Sequence, residues 1–305
     1  NQFSNSRSKA IIIATSDNAI SCIDMNYDRL IQHFYIPNGA GPGRLTRLMD
    51  KKIISKLAFE SGLTIPKIWC NIDISKLDNI EFPCIVKPLK SITGEKSDIS
   101  IIEDKAHLEE YLANKNADNY IIEKYIEKRF EFQLIGCSLD GGKEVIIPGY
   151  TKIIRAPYYT NTGYLQYILT NEIDRELKLN IELCKHLIEK CMYTGLFSME
   201  FVKGVDNRNY FLEINFRNDG NAYSATASGC NLPFLFVAYF AKRIYWEKYY
   251  LPNLHCSITV MPEIPDLIYV ISSRLSIIGW IKDFLGADCR LYYDKRDPVP
   301  FIFEL

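Results

Sequence analysis

The sequence predicts an α+β protein, because helix-like stretches occur together with a block of strand-like stretches. Residues 10–14 form a short apolar run followed by Thr15-Ser-Asp-Asn, which is typical of a buried parallel strand that opens into a turn and a helix. Strand-like segments dominate from Phe82 onward. Two of them, joined by a polar turn, predict an antiparallel hairpin over residues 196–216. These features predict a short Rossmann-like N-terminal segment followed by units with antiparallel sheets.

The other elements are assigned in chain order from periodicity and boundary residues. Residues 38–43 are rich in glycine, but they lack GxxxxGK[ST] and do not directly follow a strand, so we interpret them as a linker rather than a phosphate loop. The predicted helices cover residues 44–61, 104–114, 173–192 and 222–243. The predicted strands cover residues 82–89, 98–103, 119–126, 129–139, 145–155, 196–202 and 210–216.

Composition excludes several classes of protein. Of the 305 residues, 48 % are apolar and 24 % are charged, which is ordinary for a globular protein and excludes extended disorder. Lys and Arg total 36 against 37 Asp and Glu, so no net basic field favours nucleic acid or an anionic membrane. The most apolar stretch, residues 232–241, is about half a membrane span and contains Pro233. We therefore expect a soluble protein with neither a nucleic-acid nor a membrane partner.

Cysteine and histidine usage favours a reduced compartment without a zinc site. The nine cysteines include no CxxC pair, which predicts a cytoplasmic location. The four histidines show neither HExxH nor close pairing with cysteine.

The predicted hairpin contains the most informative polar residues. Glu213, Asn215 and Arg217 alternate with apolar residues, so all three project from one face of the second strand. If Glu200 on the first strand faces them, two carboxylates and an amide oxygen converge, and a hard cation would relieve their repulsion. This pattern predicts a Mg²⁺ site, with Mn²⁺ as a substitute. The alternative interpretation is an amphipathic hairpin with a solvated charged face.

A lysine inside an apolar strand gives a second indication of a site. Lys87 lies in Cys84-Ile-Val-Lys-Pro, where an unpaired ammonium group would be costly, so it requires an anion. Asp50-Lys51 lies in the predicted helix of residues 44–61, and Ile121-Ile-Glu-Lys-Tyr-Ile126 ends a strand at an expected hinge.

Taken together and in this order, these motifs resemble the ATP-grasp superfamily over residues 50–241. The resemblance implies two α+β subdomains that clamp ATP. It also implies that Lys51 and Lys87 bind the phosphates, and that main-chain groups near Lys124 and Ile126 read the adenine edge. The nucleotide-binding positions that it implies are Lys51, Lys87, Glu123, Lys124, Ile126 and Glu131.

The same resemblance implies roles for the hairpin residues. Glu200, Glu213 and Asn215 match the metal ligands, and Arg217 matches the arginine that steadies a transferred phosphate or an acyl oxyanion. Lys152 and Arg155 are candidates for binding an acidic substrate, with surface charges beside a loop as the alternative.

Within the superfamily, the chain looks closest to biotin-carboxylase-related and carbamoyl-phosphate-synthase-like carboligases, including D-aspartate-ligase-like members. The expected organisation is a truncated Rossmann-like segment and linker (residues 1–43), an ATP-grasp domain (44–250) with a small lid subdomain (84–126), and a C-terminal module (251–305). One departure is the loop of residues 91–97, which has a single glycine where many relatives have several.

The resemblance implies a ligase that uses ATP and Mg²⁺. A substrate carboxylate would attack the γ-phosphorus to give an acylphosphate, and an amine would then displace phosphate. The partners are small-molecule carboxylate and amine substrates, and a homo-oligomer is compatible with this function. One alternative is a bicarbonate-using, carbamoylating enzyme, and another is a nucleotide-binding scaffold without turnover.

Overall fold

The computed structural model describes residues 9–69, 77, 79–89, 99–113, 115–155, 163–170, 177–241 and 257–304, and these residues form three β-sheets. Helices and sheets are both abundant, so the predicted α+β class is confirmed. Within these residues, no helix is both long enough and apolar enough to cross a bilayer.

The N-terminal segment forms a small parallel sheet. Strands β1 (Ala10–Ile11) and β2 (Phe34–Tyr35) pair in parallel and are separated by helices α1 (Asp17–Met25) and α2 (Tyr27–Leu30). The Ser16 side chain caps α1 by accepting a hydrogen bond from the backbone N–H of Ala19. The predicted strand, turn and helix are therefore confirmed.

The predicted helix of residues 44–61 is two helices, α3 (Arg44–Leu48) and α4 (Lys51–Glu60). The prediction of one continuous helix was wrong because Asp50 has an extended backbone and caps α4, accepting hydrogen bonds from two backbone N–H groups of the first turn. The preceding glycine-rich segment is anchored, since Asn38 and Thr194 exchange backbone hydrogen bonds of 3.0 and 2.9 Å.

A four-stranded antiparallel sheet, which we call the lid sheet, follows α4 in the chain. Its spatial order is β3-β6-β4-β5. Its strands and its helix are β3 (Ile68–Trp69), β4 (Cys84–Pro88), β5 (Ser100–Ile102), α5 (Lys105–Leu112) and β6 (Tyr120–Lys124). It has its own apolar core, in which Leu108 and Leu112 of α5 pack against Val86 and Ile122.

A seven-stranded sheet, the main sheet, has the order β11-β10-β7-β8-β9-β12-β13. Its strands are β7 (Lys128–Leu139), β8 (Glu144–Arg155), β9 (Tyr164–Leu169), β10 (Gly195–Gly204), β11 (Asn209–Asn215), β12 (Ile258–Met261) and β13 (Cys289–Arg290). Neighbouring strands are antiparallel except for the parallel pair β12 and β13. Strand β9 was not predicted, and β12 and β13 of the C-terminal part extend the same sheet.

The remaining helices pack around the main sheet or follow it. They are α6 (Ile181–Cys191), α7 (Tyr223–Ala227), α8 (Leu232–Phe240), α9 (Glu263–Asp266), α10 (Ile268–Ile271), α11 (Ile277–Gly286) and α12 (Val299–Glu304). Helix α6 begins later than the predicted residue 173, because Asn180 caps it by accepting from the backbone N–H of Glu182. The predicted helix of residues 222–243 is divided into α7 and α8.

The two faces of the main sheet bury different cores. On one face, Phe132, Tyr150 and Phe201 join a large cluster with residues of α4 and α6. On the other face, Cys137 and Tyr167 pack against residues of α7 and α8. Strand alternation therefore places every second residue of β7 and β10 on the second face.

Candidate functional site

The predicted pair of opposed carboxylates is present on the β10–β11 hairpin. Glu200 lies directly opposite Glu213, and Gln133 and Thr151 continue the same cross-strand row on β7 and β8. Side chains in one such row share a face of the sheet. The condition set for a metal site, that Glu200 faces Glu213 across the hairpin, is therefore met.

Lys51 pairs with one of these carboxylates. Its Nζ lies 2.8 Å from Oε2 of Glu213, and Lys51 is the first residue of α4, directly after the Asp50 cap. Burial acts to lower the pKa of Lys51, but the attraction of Glu213, Glu123 and Glu200 raises it above its usual value. Burial acts to raise the pKa of Glu213, but Lys51 lowers it overall. This pair is therefore ionised.

Glu200 has the opposite electrostatic environment. Its pKa is raised to about 8, first by burial and then by the charges of Glu213 and Asp219, against hydrogen bonds from Asn215 and Gln133. The attraction of nearby cations therefore does not offset burial and the neighbouring carboxylates at Glu200. A bound divalent cation would lower the pKa of Glu200 and keep both hairpin carboxylates charged.

Lys87 forms an ion pair with an anion, as its buried position requires. Its Nζ lies 2.7 Å from Oε2 of Glu123, and the two side chains are 10 % and 5 % exposed. Both residues lie on adjacent strands of the lid sheet, β4 and β6. Because Lys51 is attracted to Glu123 as well as to Glu213, the lid sheet and the main sheet contribute to one cluster of charges.

Arg217 is held by two carboxylates that sequence reasoning missed. Its Nε lies 2.8 Å from Oδ1 of Asp17, and its Nη1 lies 3.5 Å from Oδ2 of Asp219. Asp219 continues the two-residue spacing of the hairpin and could have been found from it. Asp17 lies at the start of α1, 200 residues away in sequence, and no local pattern indicates it.

The expected hinge, residues 124–126, connects the lid sheet to the main sheet. The charged side chains at and near it pair with each other or with neighbouring residues. The Lys124 side chain forms an exposed ion pair of 2.7 Å with Glu81, while its backbone N–H donates to the carbonyl of Lys67. The backbone N–H of Ile126 has no hydrogen bond within the described part of the chain. Glu131 is half exposed and pairs with Lys128 at 2.7 Å.

The two candidate substrate residues are not brought to the carboxylate cluster. Lys152 pairs across the sheet with Phe132 and therefore lies on the face opposite to Glu200; its Nζ lies 4.5 Å from the centre of the Phe130 ring. Arg155 binds Asp266 in a bidentate ion pair of 2.9 and 2.7 Å. The loop of residues 91–97, interpreted as covering the phosphates, lies outside the described residues.

The hairpin donors fit a magnesium ion that is completed by other ligands. Mg²⁺ typically takes one or two protein carboxylates together with phosphate oxygens and water. Among the described residues, no group of three His, Cys, Asp or Glu side chains could hold a metal alone. Glu200, Glu213 and the amide oxygen of Asn215 would supply part of a coordination shell and leave room for a phosphate.

A cleft of about 1110 Å³ lies beside the hinge. It is lined by Thr64–Ile68, by the hinge itself and by the turn of the β10–β11 hairpin. Lys51, Lys87, Glu200 and Glu213 are not among the residues that line it.

Comparisons with known proteins agree with this architecture, although no family model matches the sequence. The formate-dependent phosphoribosylglycinamide formyltransferase of Bacteroides fragilis is 26 % identical over 195 residues, which cover 60 % of this chain and 49 % of that protein. The chain thus spans about half the length of the curated relative that it matches.

Solved structures of enzymes share the fold at low sequence identity. Biotin carboxylase from Campylobacter jejuni superposes with a TM-score of 0.63 at 13 % identity, covering 82 % of this chain and 58 % of that one. L-Amino acid ligase from Bacillus licheniformis superposes with a TM-score of 0.55 at 17 % identity, covering 73 % and 54 %. The chain therefore shares the fold of these enzymes, in agreement with the α+β architecture that its motifs predict.

Proposed function

We propose that this chain is the catalytic core of an ATP- and Mg²⁺-dependent carboxylate–amine ligase that works through an acylphosphate. The observation that carries the proposal is the juxtaposition of Glu200 and Glu213 with two buried lysines at the meeting of the two sheets. Phosphoryl transfer needs this kind of positioned charge more than covalent chemistry from the protein. The biotin carboxylase domain of Hydrogenobacter thermophilus 2-oxoglutarate carboxylase, a structural neighbour, was solved as a dimer with MgADP and bicarbonate.

The cluster supplies opposite charges for the two halves of a metal–nucleotide complex. Glu200, Glu213 and Asn215 would hold Mg²⁺, which neutralises phosphate charge when bound. Lys51 is paired with Glu213, and its ammonium group could turn to a phosphate at small cost, because the cation that binds Glu213 replaces the lysine there. Lys87 could bind a phosphate while it keeps its ion pair with Glu123, since an ammonium group has three donors. The unpaired N–H of Ile126 would hydrogen-bond the adenine edge.

Arg217 is placed to act on the electrophile. Asp17 holds its Nε, which orients the guanidinium and leaves donors on its terminal nitrogens. A positioned guanidinium stabilises the negative charge that develops on the carbonyl oxygen when an amine attacks an acylphosphate. The product would contain a new amide bond, with ADP and phosphate released.

The second candidate uses bicarbonate in place of an organic carboxylate. The neighbour crystallised with bicarbonate favours it, and so do the structural neighbours that are N5-carboxyaminoimidazole ribonucleotide synthetases. In this case carboxyphosphate would form first, and the product would carry a carbamate or carboxyl group.

A nucleotide-binding scaffold without turnover is the third hypothesis. The complete set of charged residues argues against it.

The experiment is an assay of ADP release with Mg²⁺ and ATP, with and without bicarbonate, across pools of amino acids and small amines. We expect one pool to stimulate ADP release without added bicarbonate. Glu213→Gln should lower the stimulated rate by on the order of 100-fold or more, because loss of a metal ligand removes several kcal/mol of charge stabilisation.

The matched control is Glu182→Gln, a carboxylate of α6 that is 73 % exposed and pairs with Lys185. It should leave the rate unchanged. Stimulation that depends on bicarbonate would favour the second candidate, and a Glu213→Gln protein with the wild-type rate would refute the metal assignment.

A further inference from the structure

A closed ring of hydrogen bonds lies next to Glu200. The members are side-chain or backbone groups of Glu200, Gln133, Asn221, Asp219, Ser198 and Asn215. Gln133 Nε2 donates to Glu200 Oε1 at 3.0 Å, and Asn221 Nδ2 donates to Gln133 Oε1 at 2.8 Å. The ring closes through Asn215 Nδ2, which donates to both Ser198 and Glu200.

The ring distinguishes the two oxygens of Glu200. Oε1 accepts from Gln133 at 3.0 Å and from Asn215 at 2.9 Å. In the described part of the chain, Oε2 accepts no hydrogen bond. Since two amide donors hold one oxygen, the carboxylate cannot rotate freely, and Oε2 is the oxygen that remains for another ligand.

The orientation of the Gln133 amide is also determined. Asn221 donates to its oxygen, so its nitrogen is the group that reaches Glu200. The backbone of Asn221 is held in turn, because its N–H donates to Asp219 Oδ1 at 2.9 Å. Gln133, Asn221 and Asp219 are all buried, and buried hydrogen bonds are costly to leave unmade.

We propose that Gln133 is a positioning residue that fixes the carboxylate of Glu200 for metal binding through Oε2. The proposal rests on the proposed function, since it assigns Gln133 to the metal site described there. Residues that hydrogen-bond a metal ligand orient it, and their loss typically lowers metal affinity 10–100-fold. The polar ring would thus serve the site rather than the stability of the sheet alone.

The test measures Mn²⁺ binding by the loss of the free-ion electron paramagnetic resonance signal, with ADP present, for wild type and Gln133→Leu. We expect the variant to bind Mn²⁺ about tenfold more weakly. The affinity for ADP in EDTA should stay within twofold, because the Lys51 and Lys87 pairs are untouched. A general structural defect would weaken both.

The matched control is Thr151→Val. Thr151 is the next residue in the same cross-strand row, it is buried, and its hydroxyl makes no hydrogen bond within the described residues. The near-isosteric change should leave Mn²⁺ affinity unchanged. If Gln133→Leu does not fold, Gln133→Met keeps the length of the side chain, removes the donor without adding charge and should show the same selective loss.

The outcomes distinguish failure of the proposed function from failure of the positioning role of Gln133 alone. Wild-type protein that binds no Mn²⁺ with ADP would refute the proposed function, and the positioning role with it. Wild type that binds Mn²⁺, together with Gln133 variants of equal affinity, would refute the positioning role alone.

Discussion

Lys87 and Glu123 form an ion pair inside the lid sheet, where each charge is almost fully removed from water. Such a pair gains little net stability, because desolvation offsets the attraction between the charges. Removal of one partner is costly, however, since the other charge then stays buried without compensation. A buried pair of this kind beside a candidate phosphate site suggests that the lysine is retained for binding rather than for folding.

The contributions of this ion pair to ATP binding and to stability can be measured separately. We expect Lys87→Met to weaken ATP binding at least tenfold, since charge-assisted hydrogen bonds contribute about 1.5–3 kcal/mol, and to lower the free energy of unfolding by about 3–5 kcal/mol. The double variant Lys87→Met/Glu123→Gln should recover most of the stability but none of the ATP affinity. Fluorescence titration with ATP and urea unfolding measure the two quantities.

The double variant is also the control, because it removes the buried charge without restoring the ammonium group. An ATP affinity that returns together with the stability would show that Lys87 acts through folding. Unchanged affinity in both variants would contradict the phosphate-binding role.

At the scale of the elements, β7 needs a glycine at the position where it pairs with Phe197 of β10. A Cβ atom on Gly136 would lie 2.3 Å from Cζ of Phe197 and 2.9 Å from the backbone oxygen of Ile146. Both distances are shorter than any real contact, so the Phe197 ring occupies the space that a side chain would need. Gly136 therefore permits the close packing of an aromatic ring on the central strands.

We expect Gly136→Ala to lower the free energy of unfolding by about 1–3 kcal/mol, the usual cost of overpacking a core. Gly286 in α11 serves as the control, because no atom lies within 4 Å of a Cβ built there. Gly286→Ala should be neutral or slightly stabilising, since alanine favours helix. Equilibrium urea unfolding compares the two variants, and equal effects would show that the Phe197 ring simply moves aside.

Most helices and strands were predicted from the sequence, but the residues at which they begin and end were predicted less often. The helix predicted from residue 104 is confirmed, and Asp104 caps it, since its side chain accepts from the backbone N–H of His107. Asp50 was read as a helical residue, although it caps a second helix, because an aspartate within an amphipathic pattern does not show which hydrogen bonds its side chain makes. Strand β9 was missed because its place depends on pairing with β8 and β12.

The same limit applies to the site. Residues that are close in sequence could be predicted to meet, whereas residues that only the fold brings together could not. Glu200 and Glu213 were predictable because both lie on one hairpin and strand alternation fixes their faces. Asp17 and Gln133 were not predictable, since they reach the site only through the fold. Lys152 was misleading, because its position one residue from Thr151 places it on the opposite face of the sheet.

At the scale of the whole molecule, Arg155 connects the main sheet to the C-terminal helices. Its guanidinium binds Asp266 of α9 in a bidentate pair and also Asp283 of α11 at 3.0 Å. The carboxylate of Asp266 is fully buried. The helices that follow β12 are thus joined to β8 by charge as well as by the continuous sheet.

We expect Arg155→Met to lower the free energy of unfolding by about 3–5 kcal/mol, because Asp266 would stay buried without its partner. The control is Lys143→Met, which breaks an exposed ion pair with Asp140 and should cost less than about 1 kcal/mol. Urea unfolding gives both values. A variant with wild-type stability but a raised KM for an acidic substrate would instead support substrate binding by Arg155.

The lid sheet begins and ends at neighbouring points of the chain. The backbone N–H of Lys124 donates to the carbonyl of Lys67, and Ile68 pairs with Glu123, so the chain leaves the lid beside the place where it came in. The lid also has a core of its own. In chain order the lid sheet is an insertion between α4 and β7, and a short turn could join the two ends of the host chain that carries it. The lid is therefore a natural module for exchange between relatives, because a different lid would need to match the host only at this pair of adjacent backbone positions.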